Sequence, residues 1–324
     1  MINIVIIGAG QIGSRHLQAM ANLEGTAMVQ VADPSEESLR TAQERFSQVY
    51  QEDSRKIELK CHRSIDTISG SIDVAIVTTC SDVRAGVIKE ITHKKDVKNL
   101  ILEKVLFQKV AEYFEINDLL REKDIPTWVN CWMREKDFYK RLKTQLNLNE
   151  KIQMSIEGAI WLMGSSSIHF IDLFSYLTGS KDFSFTDCHL DKKVIDSKRP
   201  GFKEFSGRLT GNNSQGHSLT LCHENGNDPY RIQIINGTQE HVITDGGDHV
   251  VHKFIDSKGE SIEKATIPLQ SQTTHHLVHK IISNKNCDLP SYHDSMNLHL
   301  PLIKVLMEHL QSITGDKVER CPIT

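Results

Sequence analysis

The sequence predicts an α/β fold with two domains: a doubly wound parallel sheet over residues 1–130, and an α+β domain with a large, mostly antiparallel sheet over residues 131–324. Three observations support this prediction. A glycine-rich turn joins an apolar run to a helical pattern at the start of the chain. Apolar runs and helical patterns then alternate as far as residue 130, which is typical of a parallel sheet. Beyond residue 200, short apolar runs follow one another with turn residues between them, as in an antiparallel sheet.

The glycine-rich turn is Gly8-Ala9-Gly10-Gln11-Ile12-Gly13. It follows an apolar run over residues 4–7 and opens a helix predicted to end near Leu23. A strand, this glycine pattern and a helix in succession are typical of sites that bind the pyrophosphate of a dinucleotide. The alternative is a glycine-rich turn in an unrelated α/β protein.

Each glycine of this turn has a physical reason to be there. Gly8 permits the tight turn, Gly10 lets the backbone approach a pyrophosphate, and Gly13 lets the helix pack closely on the strand. The helix begins at Gln11 and Ile12, where N–H groups without helical partners and the positive end of the helix dipole favour phosphate oxygens.

An acidic residue ends the second predicted strand, Thr26–Ala32. Asp33 lies 33 − 13 = 20 residues beyond Gly13, close to the spacing of about 20 that is usual in dinucleotide-binding folds. A carboxylate at this position accepts hydrogen bonds from the adenosine ribose hydroxyls and repels a 2′-phosphate. The sequence therefore predicts NAD in preference to NADP, and the alternative is that Asp33 only caps the next helix.

Polar side chains follow the next strong strand, over residues 72–79. Ligands bind at the carboxyl ends of the strands in such sheets, so Thr78, Thr79 and Ser81 are candidates for cofactor binding. Ordinary turn chemistry explains them equally well. The following buried run, from Asn99, ends in two charged residues, Glu103 and Lys104, where a turn is expected.

The pattern changes from about residue 131. Helices are predicted over residues 136–146, 165–177, 273–283 and 294–314, and strands over 152–160, 205–209, 218–223, 230–235, 241–244 and 250–255. These strands outnumber the helices that could cover them. One sheet face would expose apolar side chains, so we expect a homo-oligomer, a dimer or a tetramer, that packs these faces together.

Composition narrows the class of protein. The chain has 324 residues, enough for two hydrophobic cores, and a formal net charge of -4, which gives no reason to expect a nucleic-acid partner. No apolar stretch approaches the roughly 18 residues of a membrane span, and the first residues lack the basic start of a signal peptide. The seven cysteines are scattered and include no Cys-x-x-Cys pair. We therefore expect a cytoplasmic protein with no membrane partner.

Three segments together resemble the glucose–fructose oxidoreductase and inositol dehydrogenase family, Gfo/Idh/MocA. They are residues 8–16, the pair Glu103-Lys104, and residues 164–179 with the sequence His169-Phe170-Ile171-Asp172. The resemblance covers nearly the whole chain. It implies an NAD(P)-binding Rossmann domain, with Glu103 among its cofactor-binding residues, before an open-faced α/β domain. It also implies hydride transfer at a hydroxyl or keto group of a sugar, cyclitol or nucleotide-sugar.

The resemblance implies that Lys104 and His169 are the catalytic residues. Oxidation of an alcohol needs a base for the hydroxyl proton, and a free lysine, with a pKa of about 10.4, is a poor base at neutral pH. Burial beside a cationic nicotinamide would lower the pKa of Lys104 toward roughly 7–8, and His169 could share or relay the proton. Taken singly, a surface lysine at a strand end and a core histidine are the alternatives.

Two positions depart from the family pattern. Val105 replaces the proline of the Glu-Lys-Pro motif, and Ser165 stands where the family usually carries an aspartate four residues before His169. Ser165 is counted with Lys104, Arg134 and His169 as a substrate-binding candidate. Arg134 could pair with an anionic substrate or be structural. Asp172, one turn after His169, could support the site or be a structural acid.

Two further readings remain open. His275, His276 and His279 have the spacing of a metal site on a helix, but no Cys or acidic third ligand is nearby in sequence, so a helix face is favoured and no metal is expected. The alternative to an enzyme is a sensor or regulator that binds a dinucleotide or a sugar on the same fold without catalysis.

Overall fold

A computed structural model describes residues 1–51, 56–224 and 226–324. The chain forms two compact units. The first unit contains Met1–Phe107, Ala111–Asn130 and Pro268–Tyr292, and the second contains Gln108–Val110, Cys131–Ile267 and His293–Thr324.

The first unit contains a six-stranded parallel sheet in the order β3-β2-β1-β4-β5-β6. Its strands are β1 (Ile2–Ile7), β2 (Thr26–Ala32), β3 (Lys56–His62), β4 (Val74–Val77), β5 (Leu100–Leu102) and β6 (Thr127–Val129). Its helices are α1 (Gln11–Met20), α2 (Glu36–Ser47), α3 (Arg84–Lys94), α4 (Val110–Glu122, in this unit from Ala111) and α7 (Thr274–Asn284). The predicted doubly wound parallel sheet is confirmed. The strand order reverses between β1 and β4, where such sheets bind ligands.

Burial explains why the apolar run near the start of the chain forms the central strand. Ile4, Val5 and Ile6 of β1 are fully buried between β2 and β4. A strand covered on both faces carries continuous apolar residues rather than an alternating pattern. This strand brings the glycine turn to the carboxyl edge of the sheet.

Two features of the first unit differ from the sequence expectations. α3 was not expected, and its buried face combines a charged residue, Arg84, with Ala85, Ile88 and Ile91. The segment Pro268–Tyr292 belongs to this unit, although all residues after 130 were expected in the second domain. The reason is packing, since Leu277 and Val278 of α7 lie in the same buried cluster as Leu17 of α1.

The second unit contains an eight-stranded sheet in the order β16-β15-β14-β13-β7-β12-β11-β8 and a two-stranded sheet of β9 and β10. Its strands are β7 (Ile152–Gly158), β8 (Ser184–Leu190), β9 (Ile195–Asp196), β10 (Lys203–Glu204), β11 (Gly207–Asn212), β12 (Ser218–His223), β13 (Arg231–Asn236), β14 (Gln239–Asp245), β15 (His249–Asp256) and β16 (Gly259–Thr266). Its helices are α5 (Asp137–Gln145), α6 (Met163–Thr178) and α8 (Tyr292–Thr314, in this unit from His293). Only the β7–β12 pair of the large sheet is parallel among the described strands, so the mostly antiparallel sheet is confirmed.

Alternating burial along the strands shows that one face of the large sheet is covered. In β13, Ile232 and Ile234 are buried while Arg231 and Ile235 are exposed, and α6 packs against β7 and β12. The sequence did not predict β8 or β16. Nearly every side chain of β16 is exposed, and β8 carries few apolar residues. In the described parts of the chain, none of the helices is both long and apolar enough to cross a lipid bilayer.

Candidate active site

The glycine turn has the geometry that a pyrophosphate requires. Gly8 has φ of +99°, a conformation that side chains disfavour. A Cβ at Gly13 would lie 1.7 Å from the carbonyl oxygen of Gly8, so only glycine allows the helix to approach the turn. A Cβ at Gly10, the N-cap of α1, would meet nothing within 4 Å. The residues present therefore fit a bound pyrophosphate at the open side of Gly10.

Asp33 connects the second strand to this turn. Its Oδ2 accepts a hydrogen bond from the N–H of Ala9 at 2.7 Å, and its Oδ1 accepts one from the N–H of Ser35 at 2.8 Å. The next helix is capped by Ser35, whose Oγ accepts from the N–H of Ser38 at 3.2 Å. Asp33 thus orients the glycine turn directly, and its helix-capping role is taken by Ser35.

Arg45 also holds this turn and was not singled out from the sequence. Its guanidinium donates to the side-chain oxygen of Gln11 at 2.9 Å and to the hydroxyl of Ser14. These contacts bring a cation from the last turn of α2 to the first turn of α1. No local pattern indicates the pairing, because Gln11 and Arg45 are 34 residues apart.

The residues after β4 divide into different roles. The hydroxyl of Thr78 donates to the carbonyl oxygens of Gly8 at 2.6 Å and Ile7 at 3.0 Å, so it holds the glycine turn against β4. Ser81 is fully buried. The hydroxyl of Thr79 is buried and has no hydrogen-bond partner among the described residues. The contact of Thr79 and Ser81 with a cofactor stays a prediction.

Lys104 follows β5 at the same edge of the sheet and is half-buried. The peptide bond between Lys104 and Val105 is cis. The buried guanidinium of Arg84 donates to the carbonyl oxygens of Leu106, at 3.0 Å, of Val105 and of Thr79. Arg84 thereby fixes the backbone directly after the lysine, a role that the sequence did not indicate.

Glu103 lies in a buried hydrogen-bonded network. Its Oε1 accepts from Asn130 Nδ2 at 2.5 Å and Gln270 Nε2 at 3.2 Å, and lies 3.0 Å from Nε2 of His16. Burial raises its pKa, but the hydrogen bond and charge of His16, with Asn130 and Lys104, outweigh burial and lower the pKa to about 2. The carboxylate is therefore ionised and holds α1, β5 and β6 together. Its contact with a cofactor stays a prediction.

In the second unit, helix α6 carries His169 and Ser165. A buried carboxylate caps its start, since Glu204 Oε2 accepts from the N–H of Gly164 at 2.6 Å and of Ser165 at 3.2 Å. Gly179, with φ of +74°, ends the helix. Glu204 lies about 40 residues beyond the helix start, at a separation that local patterns do not reveal. It satisfies N–H groups that the helix leaves unpaired.

His169 lines a cavity of about 310 Å³. The ring of Trp132 stands edge-on to it, with centroids 5.9 Å apart. The cavity is lined by Trp132, Met133, Ile160, Trp161, Leu162, Ser166, His169, Phe170 and Tyr230. Tyr230, which directly precedes β13, was not expected to contribute to this cavity. Lys104 belongs to the first unit and His169 to the second.

Arg134 pairs with a buried acid. Its Nε and Nη2 donate to the two carboxylate oxygens of Asp172 at 2.8 and 2.5 Å. Asp172 is fully buried, and burial raises its pKa to about 6 against the opposing charge of Arg134, with Asp294 adding to the rise. This bidentate pair supports the structural alternative for both residues. Substrate binding by Arg134 stays a prediction.

Two of the three histidines of α7 lie against each other. The rings of His275 and His276 have centroids 3.9 Å apart, and burial lowers the pKa of His275 to about 4. Among the residues that the structure describes, no group of three or more His, Cys, Asp or Glu side chains could hold a metal ion.

Comparison with known proteins finds a family model that matches the N-terminal part of the chain. Residues 2–131 match the family model of the Gfo/Idh/MocA oxidoreductases, described as an oxidoreductase family with an NAD-binding Rossmann fold. This match confirms the resemblance over residues 2–131, which include the glycine turn and the pair Glu103-Lys104. Among curated proteins, no sequence matches this chain.

Solved structures extend the likeness to the whole chain. An oxidoreductase from Agrobacterium radiobacter in complex with NAD+, L-tartaric acid and magnesium has a TM-score of 0.70 at 14% identity, with 98% of each chain covered. UDP-N-acetylglucosamine 3-dehydrogenase from Acidithiobacillus ferrooxidans has a TM-score of 0.67 at 14% identity, covering 94% of this chain and 96% of the other. The transcriptional regulator Gal80p from Kluyveromyces lactis has a TM-score of 0.68 at 15% identity, covering 96% and 93%. At these identities the likeness shows the fold alone, and the fold hosts both enzymes and a regulator.

Proposed function

We propose that this chain, whose residues 2–131 belong to the Gfo/Idh/MocA oxidoreductase family, transfers a hydride between NAD and a secondary hydroxyl or keto group of a sugar, cyclitol or nucleotide-sugar. The observation that carries the proposal is the position of Lys104 after β5. It lies at the carboxyl edge of the sheet that also presents the open glycine turn. In such sheets, ligands bind at that edge.

The first unit supplies the cofactor site. Gly8, Gly10 and Gly13 hold the pyrophosphate through the backbone and the start of α1, and Asp33 accepts from the adenosine ribose. A 2′-phosphate would meet the Asp33 carboxylate, and no Arg follows directly at Pro34-Ser35, so NAD is preferred to NADP. Calorimetric titration with both cofactors tests this preference. Equal or tighter binding of NADP would contradict it.

Lys104 and His169 move the proton of the reacting hydroxyl. When bound, NAD supplies the hydride acceptor for oxidation of the alcohol. The amine of Lys104 accepts the hydroxyl proton, and the ring of His169 shares or relays it. The cavity beside His169 supports this role, because it provides room for a sugar-sized group.

The second unit supplies the assembly surface. Its large sheet has exposed apolar residues on the face away from α6, including Ile235 at 38% and Val251 at 38% exposure. We place a homo-oligomeric contact, a dimer or a tetramer, on this face. Light scattering that finds a monomer at micromolar concentration would contradict it. None of the seven cysteines, all of which are described, forms a disulfide, which supports the cytoplasm as its compartment.

One experiment tests the function. The purified protein is incubated with NAD and a panel of sugars, cyclitols and nucleotide-sugars, and formation of reduced cofactor is followed by absorbance. The reverse reaction is assayed with the keto sugars and NADH. Turnover of at least one compound supports an oxidoreductase. Binding of dinucleotide or sugar without turnover of any compound favours a regulator on this fold, as in Gal80p.

A further inference from the structure

A buried lysine contacts the cavity wall beside His169. Lys136 is 6% exposed, and its Nζ lies 5.4 Å from the centroid of the Trp132 ring. The Trp132 ring in turn stands edge-on to His169, with centroids 5.9 Å apart, and lines the cavity. Lys136, Trp132 and His169 therefore follow one another in contact, and all three belong to the second unit.

The backbone fixes Lys136 at the start of α5. Its N–H donates to the carbonyl oxygen of Met133 at 3.0 Å, and its carbonyl oxygen accepts from the N–H of Lys140 at 3.1 Å. The short turn Trp132–Glu135 and the helix are thus joined at this residue. Because the side chain is also buried, its ammonium group is held beside the indole ring rather than in water.

The ammonium group of Lys136 is charged at neutral pH. Burial lowers its pKa to about 8, against the acids Glu135 and Asp137, which raise it. A cation within about 6 Å of an indole centroid is attracted by the negative face of the ring, and the attraction is stronger where water is excluded. The contact with Lys136 therefore resists movement of the Trp132 ring.

Movement of the Trp132 ring would change the surroundings of His169. The energy of an edge-on contact between two aromatic rings depends on their relative orientation. Groups that take part in a reaction must be placed accurately, and a displacement of about 1 Å can cost roughly 10²-fold in rate. The indole is thus the group through which Lys136, which does not itself line the cavity, acts on His169.

Resting on the proposed function, we infer that Lys136 is a positioning residue, which holds the Trp132 ring against His169 and so keeps the imidazole oriented for proton transfer. Lys136 takes no part in the proton transfer itself. Its loss should therefore slow turnover without weakening the binding of NAD, whose proposed site belongs to the first unit.

A lysine on α5 provides a matched control. The Nζ of Lys143 lies 4.1 Å from the centroid of the Tyr176 ring on α6, and neither residue lines the cavity. Lys143→Met therefore removes a contact of the same kind, between a lysine and an aromatic ring, in which Trp132 takes no part.

The test measures the orientation of His169 separately from turnover. The Cε1–H signal of His169 in an NMR spectrum, assigned by its loss in His169→Ala, responds to the ring current of Trp132, and Trp132→Leu gives its position without the indole. In Lys136→Met, which keeps an aliphatic stem, the signal should move at least about half of the way to that position. Turnover should fall about tenfold, while the KM for NAD stays within about twofold of the parent value. Lys143→Met should match the parent in both the signal and the turnover.

The same measurements on Lys136→Gln repeat the test with a polar side chain. An unchanged His169 signal in both Lys136 variants, or an equal movement in Lys143→Met, would overturn the inference. A moved signal with full turnover of a sugar that the parent oxidises would also overturn it, because the contact would then be structural only. If the parent turns over none of the sugars, the proposed function fails, and a signal that moves in the Lys136 variants alone would still support the positioning of the His169 ring.

Discussion

Each unit buries a carboxylate beside a basic partner, but the pKa of one carboxyl group is lowered and the pKa of the other is raised. Glu103 in the first unit accepts hydrogen bonds from Asn130 and Gln270 and lies beside His16, and its pKa falls to about 2. Asp172 in the second unit is held by the guanidinium of Arg134, and its pKa rises to about 6. Burial alone does not decide the charge of a buried acid. The number of donors around it and the nearby acids decide whether the charged form is stabilised.

The surroundings of the two proposed catalytic residues, Lys104 and His169, also differ. In the first unit, Glu103 and Arg84 fix the backbone on either side of Lys104 through hydrogen bonds. In the second unit, the surroundings of His169 are an aromatic and aliphatic cavity. We therefore expect reactivity to depend on the first region and substrate shape on the second.

The largest expected effect tests this division. Lys104→Met removes the amine and keeps a similar aliphatic stem. Turnover should fall by roughly 10²–10⁴-fold, as for the loss of a general acid–base group. NAD affinity should change little, because the glycine turn holds the pyrophosphate. Steady-state kinetics and calorimetry measure the two quantities.

Two further variants serve as comparisons for Lys104→Met. Lys98→Met, just before the other end of β5, should retain activity, since Lys98 pairs with Asp73 at 2.9 Å on an exposed surface. His169→Ala should show a loss similar to or smaller than that of Lys104→Met. An active parent with full activity in Lys104→Met would contradict the mechanism.

The next effect concerns stability. Arg134→Met leaves the buried Asp172 without its cation, and the free energy of unfolding should fall by about 3–5 kcal/mol. Urea unfolding near neutral pH measures it. Arg141→Met is the matched control, because Arg141 and Glu263 form an exposed pair at 3.9 Å and its loss should cost less than about 1 kcal/mol. Equal losses in both variants would show that burial of Asp172 is not the cause.

The pH dependence of stability should reveal the low pKa of Glu103. Its pKa is about 2 in the fold against a usual 4.5, so the native state binds this proton less readily than the unfolded chain. The stabilisation is complete above about pH 4.5 and is lost as the pH falls toward 2. Relative to Glu103→Gln, the parent should lose about 3 kcal/mol across this range. Unfolding curves that run parallel for the two proteins would contradict it.

Asp172 should make the stability of the fold depend on pH in the opposite direction. Its pKa is about 6 in the fold against a usual 3.8, so the native state binds this proton more readily than the unfolded chain. Its contribution is most favourable below about pH 3.8 and declines by about 3 kcal/mol as the pH rises through 6. Asp172→Asn cannot titrate, and should gain stability relative to the parent over this window. A relative loss measured by urea unfolding would reverse the assigned direction.

The smallest effect concerns the glycine turn. Arg45→Met removes the donor that orients Gln11 and Ser14, and NAD binding should weaken by roughly two- to tenfold, as for the loss of one hydrogen bond. Arg40→Met lies on the same helix, where Arg40 is 72% exposed and 3.9 Å from Glu44, and should bind NAD as the parent does. Calorimetry compares the two. Identical affinities would show that the turn needs no support from α2.

The sequence by itself determined the local features. The turn Gly8–Gly13 and the position of Asp33 follow from spacing along the chain, because backbone conformation and strand length act over a few residues. The apolar runs of β1 and β5 likewise predicted a parallel sheet, since burial on both faces leaves a continuous pattern. The helix around His169 was recognisable from the spacing of its apolar residues.

The tertiary structure decided what pairs across the fold. Arg134 pairs with Asp172, 38 residues away in sequence, and Gln270 donates to Glu103, 167 residues away. The local sequence pattern does not distinguish these partners from a ligand. The exposed strand β16 and the return of Pro268–Tyr292 to the first unit were equally invisible. Local periodicity records which face of an element is buried, but the partner on that face is selected by packing of the whole chain. The charge of Glu103 and of Asp172 therefore became assignable only with their neighbours in place.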